Sequence, residues 1–224
     1  MCHLGGCGYT PATGGASASP TIQKRDQGGN VPKQPPGILV LAGSNRKGSF
    51  NQQLADAYAA ELAKLDCTVT RILLSDYPLP LMDEDLEAEK GLPENAVRLA
   101  RQFHSHQGIV VVGPEYNGTL TPLTKNMIDW ISRVSTHNGQ PVVPYKSKPC
   151  AIASASDGAM GGYSSLSHLR HVLSRLGMLV IPEQLSLAHA STAFDEDGSL
   201  KEGRPRTILE AACRSLVEKA RLLG

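Results

Sequence analysis

Residues Gly37-Ile38-Leu39-Val40-Leu41-Ala42-Gly43-Ser44-Asn45-Arg46-Lys47-Gly48-Ser49-Phe50-Asn51 set the architecture. Positions 38–42 are an unbroken apolar run of strand length that stops at Gly43-Ser44, the pattern of a strand covered on both faces in a parallel sheet. Ser49 stands where a helix N-cap belongs, and Leu54, Ala57, Tyr58, Leu62 and Leu65 recur at helical spacing until Asp66-Cys67 opens a second strand over 68–74. Strand, helix and strand in that order make a βαβ unit.

The alternation continues downstream. Pro78, Pro80 and the run Asp83-Glu84-Asp85 read as a long hydrated loop, and Pro93-Glu94-Asn95 starts a helix that reaches about His106. A third strand over 109–112, a loop over 113–121 and a helix over 122–134 follow, then a fourth strand over 149–155. A helix over 162–176, a short fifth strand over 178–181 and an amphipathic helix over 205–222 complete the chain. Five strands alternating with five helices predict an α/β fold, a three-layer doubly wound sheet of five parallel strands, because crossovers are nearly always right-handed. Such sheets bind ligands at the carboxyl ends of their strands, so the loops after strands one, three and four are where chemistry is expected.

Composition agrees. The 224 residues are 41% hydrophobic and 19% charged, enough for one sizeable core, and 22 Lys+Arg balance 21 Asp+Glu to leave +1, which argues against a nucleic-acid binder. No apolar run approaches the roughly 20 residues of a membrane span, and the five scattered cysteines, Cys2, Cys7, Cys67, Cys150 and Cys213, form no disulfide framework. The expected location is a soluble, reducing, cytoplasmic compartment. Residues 1–36, rich in Gly, Ser, Thr and Pro, read as a disordered extension, with Lys24 and Arg25 too few for a targeting helix. Cys2, His3 and Cys7 lack a second ligand pair and are not read as a metal site.

The loop 43–51 joins a buried strand to a helix start, where unpaired N–H groups and the positive end of the macrodipole favour an anion. Hydroxyls of Ser44 and Ser49, the Asn51 amide and the cations Arg46 and Lys47 add to these donors, and a phosphate monoester is the natural guest. A Walker A is excluded because Ser49-Phe50 stands where Lys-Ser/Thr is required, and no G-x-G-x-x-G follows the strand. The plainer reading of this loop is a polar, capped turn.

Two further segments share a pattern with it. Gly43, Ser44, Arg46, Ser49 and Asn51 match G-S-x-R-x-x-S-x-N; Pro114-Glu115-Tyr116-Asn117-Gly118 runs on to Leu123-Thr124-Lys125-Asn126-Met127-Ile128-Asp129-Trp130; and Ser154-Ala155-Ser156-Asp157-Gly158 precedes Gly161-Gly162. Over about residues 37–190 the chain resembles the NADPH-dependent FMN reductases of the flavodoxin-like fold, a family that includes quinone, azo-dye and chromate reductases. The resemblance implies strand order 2-1-3-4-5, with FMN phosphate held by Ser44, Arg46, Ser49, Phe50 and Asn51. It also implies an isoalloxazine ring positioned by Pro114, Glu115, Tyr116, Asn117 and Gly118 and closed over by Ser156 and Gly161. It further implies NADPH as reductant, a small acceptor (quinone, azo compound, metal oxyanion or free flavin) and a homodimer or homotetramer. No catalytic side chain and no metal are expected, since hydride passes between nicotinamide and flavin N5 once the rings are in register.

The residues alone leave alternatives open. Tyr116 and Asn117 can be read as a turn after the third strand. Leu123, Met127, Trp130 and Val134 recur at helical spacing and read as core or subunit contacts. His168 and His171 lack a third metal ligand and read as a solvated helix face, and His104 and His106 as surface residues at a frayed helix end. Two rival functions stand beside the reductase: a flavodoxin-type electron carrier, disfavoured by the +1 charge, and a non-flavin protein that binds another phosphate ligand.

Overall fold

The computed structural model describes residues 34–224. The extension expected over 1–36, apart from its last three residues, and the reading of Cys2, His3 and Cys7 lie outside the described residues. The opening apolar run is β1 (Gly37–Ala42), followed by α1 (Phe50–Leu62), β2 (Thr68–Arg71), α2 (Glu84–Lys90), α3 (Glu94–Ser105) and β3 (Gly108–Val112). A small hairpin, β4 (Glu115–Tyr116) and β5 (Thr119–Leu120), leads into α4 (Pro122–Arg133). A second, β6 (Thr136–His137) and β7 (Gln140–Pro141), precedes β8 (Pro149–Ala155), α5 (Tyr163–Arg175), β9 (Leu179–Leu187) and α6 (Arg204–Leu223).

The main sheet has order β2-β1-β3-β8-β9 with every pair parallel, so the five-stranded flavodoxin-like sheet of order 2-1-3-4-5 is present. Alternation along β1 divides the core: Ile38, Val40 and Ala42 pack with α1 and α6, whereas Leu39 and Leu41 pack with α3, α4 and α5. Met127, Trp130 and Val134 are buried in the second layer, with Leu123 half-buried against it. Each fully buried large apolar side chain contributes about 1.5–3 kcal/mol, and both faces of the sheet are covered in this way. Among the described residues no helix is long and apolar enough to cross a membrane.

Four sequence readings need correction. The acidic run 83–85 is not a loop: Asp83 caps α2 by accepting from the N–H groups of Asp85 and Leu86, and the acids of the first turn complement the helix dipole. Among the described residues six α-helices therefore stand where five were expected. β2 ends at Arg71: Ile72 still donates to the Val40 carbonyl of β1 (3.0 Å), but Leu74 reaches the core from a turn of 3-10 helix at Leu74–Asp76. The fifth strand runs on to Leu187 through an irregularity: Cys150 pairs with Val180 but Ile152 with Gln184, so β9 bulges around Pro182, which has no N–H to give a ladder. Arg170 occupies that bulge, donating to the carbonyls of Val180 (2.9 Å) and Ile181 (2.8 Å) and to Gln184 Oε1. Finally, His106 is buried, its ring bonded to the Gln102 carbonyl (2.7 Å) and to Thr70 Oγ1 (2.8 Å), whereas His104 is exposed.

Burial also fixes the response to alkali. Desolvation pushes the Cys150 thiol up to about 12 and raises Tyr58, Tyr145 and Cys213 in the same way. In the unfolded chain these groups release protons at their ordinary values, about 8.5 for a thiol and about 10 for a phenol, so the unfolded state then binds fewer protons than the native one. The Cys67 thiol, raised by burial, adds to this, and Lys148, whose ammonium is lowered by burial, opposes it, one group against five. Stability is expected to hold up to about pH 8.5 and to fall as pH rises toward 12; denaturant midpoints measured across that range check it, and Cys150→Ala should flatten the decline.

Candidate active site

The loops at the carboxyl ends of β1, β3 and β8 are stitched to one another. Gly43 donates to the Val112 carbonyl (2.9 Å) and accepts from Thr121 Oγ1 (3.0 Å), while Thr121 caps α4 through the N–H of Thr124 (3.3 Å). A Cβ at residue 43 would lie 1.8 Å from Thr124 Oγ1 and 3.4 Å from Pro114, so glycine is required where the first loop meets the second.

The first loop then folds back on itself. Arg46 N–H donates to Ser44 Oγ (3.3 Å) and Ser49 N–H to the Arg46 carbonyl (3.2 Å), with Gly48 in left-handed backbone. The N–H groups of Asn45, Lys47 and Gly48 meet no acceptor among the described residues, and those of Phe50 and Asn51 start α1, where no intrahelical acceptor exists. Ser49 holds the N-cap position but makes no cap bond, leaving its hydroxyl unspent at the helix start. Arg46 is exposed, its guanidinium 5.7 Å from the centre of the half-buried Phe50 ring. A cavity of about 330 Å³ opens here, lined by Arg46, Gly48, Ser49, Gln52 and Leu73 among others.

Asn51 has a different part. It is buried, donates to the Ala155 carbonyl (2.8 Å) and accepts from the Ala155 N–H (3.0 Å), so both ends of its amide join α1 to the third loop. On that loop Ser156 Oγ accepts from Gly158 N–H (3.1 Å), and Asp157 accepts from Ser191 N–H (2.7 Å). The Ser191 bonds hold the Asp157 carboxyl below its usual range, with His189 and Arg46 acting in the same direction. Gly161 has φ 57°, and a Cβ there would lie 2.6 Å from main-chain atoms of Leu187 and Ala188. At Gly162 a Cβ would fall 2.0 Å from Ser154 Oγ, a buried hydroxyl that has no partner in the described structure.

In the second loop Pro114 is buried and the Glu115 carboxylate accepts from Ser165 N–H (3.0 Å) in the first turn of α5. Asn117 and Gly118 both have positive φ, 51° and 77°, the two-residue hairpin turn that an Asn-Gly pair favours. This turn leaves Tyr116 59% exposed at its base, and Met160 and Tyr163 on the third-loop side are likewise exposed. Thr121, Thr124 and Ser165 hold the site together but were not singled out from the sequence. Thr121-Pro122 carries a cap signature that would have found the first; Ser165 has no sequence signal.

The family model for NADPH-dependent FMN reductase matches residues 36–192. The chain belongs to that family. It is thereby an oxidoreductase that uses FMN and NAD(P)H. It is 37% identical to a quinone reductase of Escherichia coli (strain K12) over 144 residues, 64% of this chain and 72% of the relative. It is 33% identical to a 2-hydroxy-1,4-benzoquinone reductase of Burkholderia sp over 174 residues, 77% and 90% of the two chains. Among solved structures, the flavoenzyme NAD(P)H:(acceptor) oxidoreductase of Paracoccus denitrificans superposes with TM-score 0.70 at 26% identity, covering 84% of this chain and 99% of that one.

The residues present fit FMN. Uncommitted N–H groups and the Ser49 hydroxyl lie at a helix N-terminus beside two cations, which suits a phosphate monoester, and glycines clear the backbone at the third loop. The geometry separates the glycines by role. Gly161→Ala sets a methyl against main chain as well as straining φ, and should markedly lower both stability and FMN content. Gly48→Ala has open space around its Cβ and should cost only about 1–2 kcal/mol of backbone strain. Thermal melts and the flavin-to-protein absorbance ratio of the two variants check the contrast.

Proposed function

We propose that this reductase holds FMN across its three loops and uses NAD(P)H to reduce a small quinone to the hydroquinone. The observation that carries this reading is the unspent donor set of the first loop at the start of α1. Ser44, Arg46, Ser49 and Phe50 would hold the phosphate, and Asn51 acts one step removed, fixing α1 against Ala155 so that the loop keeps its shape. Pro114 to Gly118 would line one side of the ring and Ser156 to Gly161 the other. Bound FMN supplies N5, the position that accepts a hydride from the nicotinamide and returns it to the acceptor.

The chain's own part is positional. Net reaction carries two electrons and one proton from NAD(P)H, and a second proton from water, to the quinone. The Glu115 carboxylate is bonded to Ser165 N–H and is therefore not offered as a proton donor; it holds the hairpin that presents Tyr116. Exposed Tyr116, Met160 and Tyr163 give the rim of the crevice flat, apolar surface suited to a quinone ring, and the two relatives named above as quinone reductases support that choice of acceptor.

Arg46→Ala separates binding from chemistry. Losing a charge-assisted phosphate contact worth about 1.5–3 kcal/mol should weaken FMN binding roughly tenfold or more, while the rate of flavin bleaching by NADPH at saturating FMN changes little. FMN titration followed by anaerobic stopped-flow reduction makes the comparison. Unchanged FMN affinity would remove the anchoring assignment, and a flavin that NADPH does not bleach would favour an electron carrier.

A further inference from the structure

Away from the three loops, α3 and the β6–β7 hairpin enclose a cavity of about 540 Å³, within the range that holds small-molecule ligands. α3 leads into the amino end of β3, and the hairpin lies between α4 and the amino end of β8, so none of the three loops lines the cavity, and Tyr77, in the segment after β2, completes it. No carboxylate lines it. Arg98 and Arg101, one turn apart on α3, stand with His104 from the same helix and His137 from the hairpin.

Two of these groups are held in place. The Arg98 guanidinium lies 4.9 Å from the centre of the Tyr77 ring and donates to Asn95 Oδ1 (3.0 Å), which fixes its plane. Val143 N–H donates to His104 Nδ1 (3.1 Å), which ties the imidazole to the chain just beyond the hairpin. Arg101 has no hydrogen-bond or ion-pair partner among the described residues. The remaining polar lining is the Ser105 hydroxyl and the amides Gln102, Asn138 and Gln140, each with both a donor and an acceptor.

We propose that this cavity binds a nucleoside mono- or diphosphate, with Arg98 and Arg101 on the phosphate and the amides on the base and sugar. Guanidiniums recognise phosphate oxygens through paired, charge-assisted bonds, and the carboxamides match the alternating donors and acceptors of a base edge. A ligand seated between α3 and the hairpin would also tie the hairpin, whose following residue Val143 is joined to α3 through His104, more firmly to the domain.

The test uses the full-length, FMN-loaded enzyme titrated calorimetrically with ADP, with adenosine and with inorganic phosphate. ADP should bind below millimolar concentration, adenosine and phosphate more weakly, and Arg98→Met/Arg101→Met should weaken ADP by about tenfold or more. Unaltered FMN absorbance and NADPH-dependent turnover in that variant would show that the flavin crevice is intact. Because Arg98 also packs on Tyr77, a second variant on the other wall, His137→Ala/Gln140→Ala, should weaken ADP severalfold independently. No heat with millimolar ADP, ADP affinity in both double variants unchanged from the unmodified protein, or an ADP constant equal to its inhibition constant against NADPH would each overturn the proposal, the last by placing ADP in the nicotinamide-nucleotide site.

Discussion

The amide of Asn51, buried between α1 and the end of β8, is the interaction on which the site depends. It bonds to both main-chain groups of Ala155 and so joins the start of the first loop's helix to the start of the third loop. Without that double bond, a buried N–H and a buried carbonyl would each lose their partner, at about 1–3 kcal/mol apiece. Other contacts tie the same edge together: Gly43 against Thr124, Glu115 on the first turn of α5, Ser156 N–H on the Leu187 carbonyl.

Held this way, the carboxyl edge of the sheet brings together the beginnings of two helices, α1 and α5, with different uses for their N–H groups. At α5 the Glu115 carboxylate satisfies Ser165, so that helix start is spent on fixing the hairpin. At α1 the cap hydroxyl and the loop amides remain free for an external anion. The carboxylates of Glu115 and Asp157 are engaged in shaping loops, while Arg46 and Lys47 stand exposed beside the open helix start.

Much of this was readable in the residues. The buried strands announced themselves because a parallel sheet covered on both sides leaves continuous apolar runs, as in β1 and β8, and Asn117-Gly118 carries its turn geometry in its composition. What stayed hidden was decided by distant partners. Pro182 breaks the apolar run of β9, and only Arg170, on another element, shows how the strand continues past it. The acidic run at 83–85 looked like a solvated loop because a cap and first turn of acids have the same composition as one. Asn51 reads as a phosphate ligand by motif, but its partner is 104 residues away. His106 is buried by Thr70, a contact no helical spacing contains.

Trp130 is the chain's one tryptophan. Its ring is fully buried on α4, yet its indole N–H reaches outward to the Pro80 carbonyl (2.8 Å), the same oxygen that Asn126 holds, in the segment that carries the 78% exposed Leu81. Emission excited at wavelengths that tyrosine does not absorb therefore originates at a single indole that touches a surface loop, giving a built-in optical reporter of that loop's attachment to α4.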